Sequence, residues 1–137
     1  MNREIEFRGQ CVLNGEWLYG DLEYSRKDKD IVRIHTYNDD GSYKQQCLVV
    51  PDTVGQFTGL RDKNGVKVFE GDIVHMVWQD LMSSRWHEKT RSVEFKWGRF
   101  TVFHLKPYEH SDKHYFEVIG NIYDNPELFN ENKERIC

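Results

Sequence analysis

The chain has 137 residues, 31% charged and 38% hydrophobic, enough for one domain or two small subdomains sharing a core. Its net charge of −4 disfavours wholesale binding to duplex nucleic acid, since proteins that neutralise many phosphates are usually basic. The longest apolar runs fall far short of the roughly 20 residues that span a bilayer, and Met-Asn-Arg-Glu-Ile-Glu-Phe-Arg lacks an apolar signal core; a cytoplasmic, non-membrane protein is expected.

Nearly every segment reads as strand, and 14% of residues are aromatic, which suits pleated, half-buried surfaces. Ile5 and Phe7 alternate with Glu4, Glu6 and Arg8. Glu16–Tyr24 puts Trp17 and Tyr19 on one face and Leu18, Leu22 and Tyr24 on the other. Ile31–Tyr37 and Tyr43–Val50 flank the hairpin loop Asn38-Asp-Asp-Gly-Ser42, and Pro51 stops the ladder. Asp62-Lys-Asn-Gly65 is a turn and Glu70-Gly-Asp72 a second tight bend. Ile73–Trp78 is a strand, while Gln79–Thr90 has no period and reads as an irregular excursion. Ser92–Trp97 and Phe100–Leu105 flank a bend at Gly98-Arg99, Lys106–Lys113 reads as loop, and Tyr115–Tyr123 is the last strand. Asn125-Pro-Glu-Leu128 carries helix-start chemistry: Asn as N-cap, Pro at the first position, Glu in the first turn.

A mainly β fold follows. An N-terminal antiparallel sheet is expected over residues 1–65. A small SH3-like barrel with one short C-terminal helix is expected over residues 66–137. The two are either subdomains or one compact unit.

Three segments, in order, resemble the YopX-like family of phage and prophage proteins. They are Ile5-Glu-Phe-Arg-Gly9 with Gly15-Glu-Trp-Leu-Tyr-Gly-Asp-Leu22, Gln56-Phe-Thr-Gly-Leu60 with Asp62-Lys-Asn-Gly65 through Glu70-Gly-Asp-Ile-Val74, and Phe116-Glu-Val-Ile-Gly-Asn-Ile-Tyr-Asp-Asn-Pro-Glu-Leu128. The resemblance implies a mainly β fold and a phage or prophage gene in a bacterial host; it implies no catalytic residue. The signature residues themselves, Gly59, Asp62, Gly65, Gly71, Asp72, Gly120, Asn121 and Pro126, read as shape-determining. The glycines stand where the chain turns or packs closely, and Asp62, Asp72 and Asn121 are placed to bond turn N–H groups. Phe57, Leu60, Phe69, Ile73, Val118, Ile119 and Ile122 read as core.

No convergent catalytic set is visible. His110-Ser-Asp-Lys-His114, with His104, has metal-ligand residue types but lies in a loop, so polar loop histidines are favoured and no metal or cofactor is expected. His75 reads as a hydrogen-bonded strand residue, and Glu70 with Asp72 as turn chemistry. Cys11, Cys47 and Cys137 are odd in number without a Cys-x-x-Cys pair, which argues against a disulfide framework.

The segment from Leu81 to Lys106 is the candidate binding region: six Lys or Arg stand against two Glu. Arg85, Trp86, Lys89, Arg91, Lys96 and Arg99 interleave with Phe95, Trp97 and Phe100. Arg and Trp suit protein hot spots, and cations between aromatic faces suit single-stranded nucleic acid. Against both stands a plain hairpin with Val93, Phe95 and Trp97 buried on one face and the charges in water, which is favoured. The expected function is that of a non-enzymatic phage accessory or regulatory protein that binds itself or a host or phage protein. Single-stranded nucleic acid is the alternative.

Overall fold

A computed structural model of the chain describes residues 2–80, 82–101, 114–128 and 134–136. The chain forms two compact units, Met1–Gly59 and Leu60–Cys137.

The first unit holds β1 (Phe7–Gln10), β2 (Trp17–Tyr24), β3 (Val32–Tyr37), β4 (Tyr43–Leu48) and a single 3-10 turn, Pro51–Thr53. It also holds the start of β5 (Gly55–Arg61), which carries the chain onward. The strands pair antiparallel in the order β4-β3-β2-β1-β5. Period-two alternation decides which face is buried: Val32, Ile34 and Thr36 point inward from β3. Val32, Ile34 and Val49 form the core, with Phe7, Leu18, Leu22 and Val54 packed on it. Opposite them, the odd-numbered side chains of β2 and β3 form an outer face.

The second unit holds β6 (Lys67–Phe69), β7 (Asp72–Gln79), β8 (Trp86–Ser92), β9 (Glu94–Lys96), β10 (Arg99–Thr101), β11 (His114–Asn121) and β12 (Glu134–Ile136). Four of these form an antiparallel sheet in the order β11-β7-β8-β12, and β9 and β10 pair as a separate hairpin. Val68, Val74, Met76 and Val93 are its core, covered by Trp78, Phe100, Phe116 and Val118.

The mainly β, antiparallel expectation holds, and its details need correction. Among the described residues the strands form open sheets and do not close into an SH3-like barrel, because no ladder joins the β9–β10 hairpin to the four-stranded sheet. Among the described residues the expected C-terminal helix is one 3-10 turn, Pro126–Leu128. Half of the expected excursion over Gln79–Thr90 is strand: β8 starts at Trp86 and pairs along β7 from Gln79↔Trp86 to Ile73↔Ser92. β8 is polar on both faces, so it carries no apolar period to read. Leu60, Ile119 and Ile122, expected in the core, are exposed. Leu60 follows Gly59, whose φ of 90° breaks the alternation; Ile119 sits at a register shift between Val118 and Gly120; Ile122 lies beyond the end of β11.

Candidate functional site

The signature residues shape turns or, at Gly59 inside β5 and Gly120 at the β11 register shift, interrupt strands. Gly59, Gly65 and Gly71 have φ of 90°, 81° and 93°. Asp62 Oδ1 accepts the N–H groups of Asn64 and Val66, each at 2.9 Å. Its Oδ2 accepts the Val118 N–H at 2.9 Å. Burial alone would raise the Asp62 carboxyl, but the three N–H donors outweigh it and hold the group below the ordinary range. A carboxylate so occupied is a structural clamp and not a general base. Asp72, also buried, accepts the Phe69 N–H at 2.7 Å, while Gly71 donates to Val93 O at 2.8 Å and accepts from Ile122 N at 2.9 Å. Asn121 Oδ1 accepts the N–H groups of Tyr123 and Asp124. A Cβ at Gly120 would stand 2.6 Å from Asn125 Oδ1, and Pro126 opens the final 3-10 turn.

His75, on β7, lies with Nδ1 3.3 Å from Thr90 Oγ1 and Nε2 3.4 Å from Glu88 Oε2. Both partners come from β8, so His75 bridges the ladder. His104, His110 and Asp112 lie outside the described residues, and His114 enters only as the first backbone position of β11. Among the described residues, no three His, Cys, Asp or Glu side chains group to hold a metal ion. Cys11 is buried and Cys47 half-buried; burial first, then the neighbouring Cys11, pushes the Cys47 thiol up.

The six cationic and aromatic candidates fall on the β7–β8 turn, β8 and the two strands of the β9–β10 hairpin. Arg85 ends the β7–β8 turn, where its carbonyl accepts the Asp80 N–H at 2.8 Å. Trp86 opens β8 opposite Gln79, and Lys89 and Arg91 stand opposite Met76 and Val74. Direct antiparallel partners share a face, so these two cations are half-buried along the core side of β8, beside His87 stacked on Trp78 at 5.3 Å and 11°. Lys96 and Arg99 face each other across the β9–β10 ladder. Lys96 also meets Glu94 at 2.9 Å.

At the hairpin the sequence expectation fails. Val93, Phe95 and Trp97 were expected to be buried together; Val93 is 2% exposed, Phe95 53% and Trp97 85%. The Lys96↔Arg99 pair leaves Trp97 and Gly98 as a two-residue loop, one position earlier than Gly98-Arg99. Both loop residues have positive φ, 53° and 74°, as a type I′ turn requires. This places Trp97 beyond the ladder. Phe95 meets Phe100 edge-on at 5.1 Å and 63°, and Phe100 packs against the core. The hairpin is thereby anchored at its base and aromatic at its tip. A left-handed conformation costs an L-residue about 1–2 kcal/mol. A Trp left 85% exposed recovers little of that by burial. Asn-Gly would make the same turn at lower cost.

A second cluster escaped the sequence reading. On the outer face of the first unit, Tyr37 OH donates to Asp21 Oδ2 at 2.7 Å. His35 Nε2 lies 3.1 Å from Glu23 Oε1 and its Nδ1 3.1 Å from Tyr43 OH. The hydrogen bond to Asp21, with burial and that carboxylate's charge, pushes the Tyr37 phenol above its ordinary value. The rows Tyr19, Asp21, Glu23 and Arg33, His35, Tyr37 were the available signal.

A family model described as YopX protein matches residues 6–130. The fold is similar to the crystal structure of protein EF1440 from Enterococcus faecalis, with a TM-score of 0.55 and 23% identity over 94% of this chain and 100% of that one. No curated protein matches. Among the described residues no helix is long and apolar enough to cross a membrane.

Proposed function

We propose, for a chain that belongs to the YopX protein family, a non-catalytic accessory or regulatory role in a phage or prophage, exerted in the bacterial cytoplasm by binding a host or phage protein through the β9–β10 hairpin. The observation that carries this is Trp97: bulky, 85% exposed and held at a φ of 53°. A strained, exposed aromatic costs stability and is explained by contact with something outside the chain. Trp and Arg dominate the energetic centres of protein interfaces, and Arg99 flanks this one. The hairpin tip makes the contact, and no barrel groove is involved.

Self-association is part of the proposal. β4 ends the sheet of the first unit, and an edge strand is a ready template for a second chain. Light scattering at rising concentration tests it, and a strict monomer throughout removes it.

Single-stranded nucleic acid is kept as a second reading because Lys96 and Arg99 bracket Trp97. The experiment that separates the two is capture from a bacterial host lysate by immobilised wild-type chain and by Trp97→Asn, with oligonucleotide binding followed across a salt series. Proteins retained by wild type and lost with Trp97→Asn support the protein partner. Oligonucleotide binding that weakens steeply with salt supports the alternative. Identical capture by both chains, with no oligonucleotide bound at low salt, defeats both.

A further inference from the structure

We propose that the outer face of the first unit, built from Asp21, Glu23, His35, Tyr37 and Tyr43, recognises an arginine side chain presented by a protein partner. This site is independent of the hairpin and belongs to the other compact unit.

Three adjacent strands build it. Asp21 stands opposite His35, Glu23 opposite Arg33 and Tyr37 opposite Tyr43, so all six side chains share one face. The reverse face carries Leu22, Val32 and Ile34 and is packed on the core. The outer face is therefore fixed from behind.

The two tyrosine rings meet edge to face, 5.8 Å apart at 85°, and remain 45% and 53% exposed. His35 leans on Tyr43 at 5.8 Å and 50°. Both phenols are tied down, Tyr37 to Asp21 and Tyr43 to His35. Rings locked in this way lose little rotamer freedom when a ligand arrives. Two nearly perpendicular aromatic walls offer π faces to a cation.

Charge then decides the ligand. Asp21 and Glu23 place two carboxylates beside the rings, which repel phosphate and attract a cation. Arg33 approaches Glu23 at only 3.9 Å, and both side chains are more than a third exposed, so that pair holds the carboxylate weakly. A guanidinium fits better than an ammonium, because its plane stacks on tyrosine while its N–H groups bond carboxylate oxygens.

The test follows tyrosine and backbone resonances during titration with a tri-arginine peptide, with tri-lysine and tri-glutamate in parallel. Tri-arginine is expected to shift Asp21, Glu23, His35, Tyr37 and Tyr43 selectively. Asp21→Asn with Glu23→Gln is expected to weaken binding at least about tenfold, and Tyr43→Leu likewise. Asp39→Asn, half that charge change and placed at an exposed hairpin loop, should alter it less than about twofold. Tyr43→Phe keeps the ring and the fold and should retain most of the binding. No selective shift, equal binding after the double change, or an effect of Asp39→Asn as large would overturn the site. Equal affinity for tri-lysine would overturn the guanidinium assignment.

Discussion

Asp62 Oδ2 accepts the Val118 N–H at 2.9 Å, a bond between residues 56 positions apart in sequence. It fastens the Asp62–Val66 turn to β11. The same carboxylate closes the turn through Asn64 and Val66, so one buried side chain satisfies three backbone donors. Asp62→Asn would turn an NH₂ group toward one of those donors. The expected loss is about 1–3 kcal/mol at neutral pH, read by urea unfolding.

The pH dependence has a definite sign. The Asp62 carboxyl is lowered in the folded chain, so its contribution is present above the unfolded value of about 3.9 and is lost as pH falls through the folded value. The stability gap between wild type and Asp62→Asn should therefore narrow on acidification below about pH 4. A gap that stays constant down to strongly acidic pH would show that the clamp is not ionic.

Gly71 has a φ of 93° and is hydrogen-bonded on both sides, to Val93 and Ile122. Gly71→Val forces a branched residue into that conformation at a cost on the order of 1–3 kcal/mol. For a unit of this size each kcal/mol lowers Tm by about 4–8 °C. An unchanged melting temperature would contradict the turn geometry.

Lys96 and Arg99 are like charges directly opposite on a ladder, a mildly destabilising arrangement partly offset by Glu94. Arg99→Ala should leave stability within about 0.5 kcal/mol. If the hairpin binds single-stranded nucleic acid, the same change should also reduce the salt slope by about 0.7 per lost phosphate contact. An unaltered slope would remove Arg99 from any phosphate contact.

Strands were legible where turns punctuate them. Asn38-Asp-Asp-Gly-Ser42, Asp62-Lys-Asn-Gly65 and Glu70-Gly-Asp72 each mark a real reversal, because glycine and Asx chemistry act locally. β8 was illegible because it is held by ladders to β7 and β12 rather than by an apolar face. The bend at Trp97-Gly98 was displaced by one residue because Trp is a poor left-handed residue, and the period-two set Val93, Phe95, Trp97 argued for burial. That is where local rules and structure part, and such conflicts concentrate at functional positions. The His35, Tyr37 and Tyr43 cluster needed the strand register, which pairs residues of three strands that sequence alone does not align.

The most direct test is the stability of Trp97→Asn, measured by urea unfolding together with capture of host proteins. Asn accepts positive φ and with Gly98 makes the favoured type I′ turn. The expected result is a gain of about 1 kcal/mol with the captured proteins lost. A loss of about 3–5 kcal/mol would place Trp97 in the core and contradict the hairpin as a binding prong; unchanged capture would contradict its role in contact.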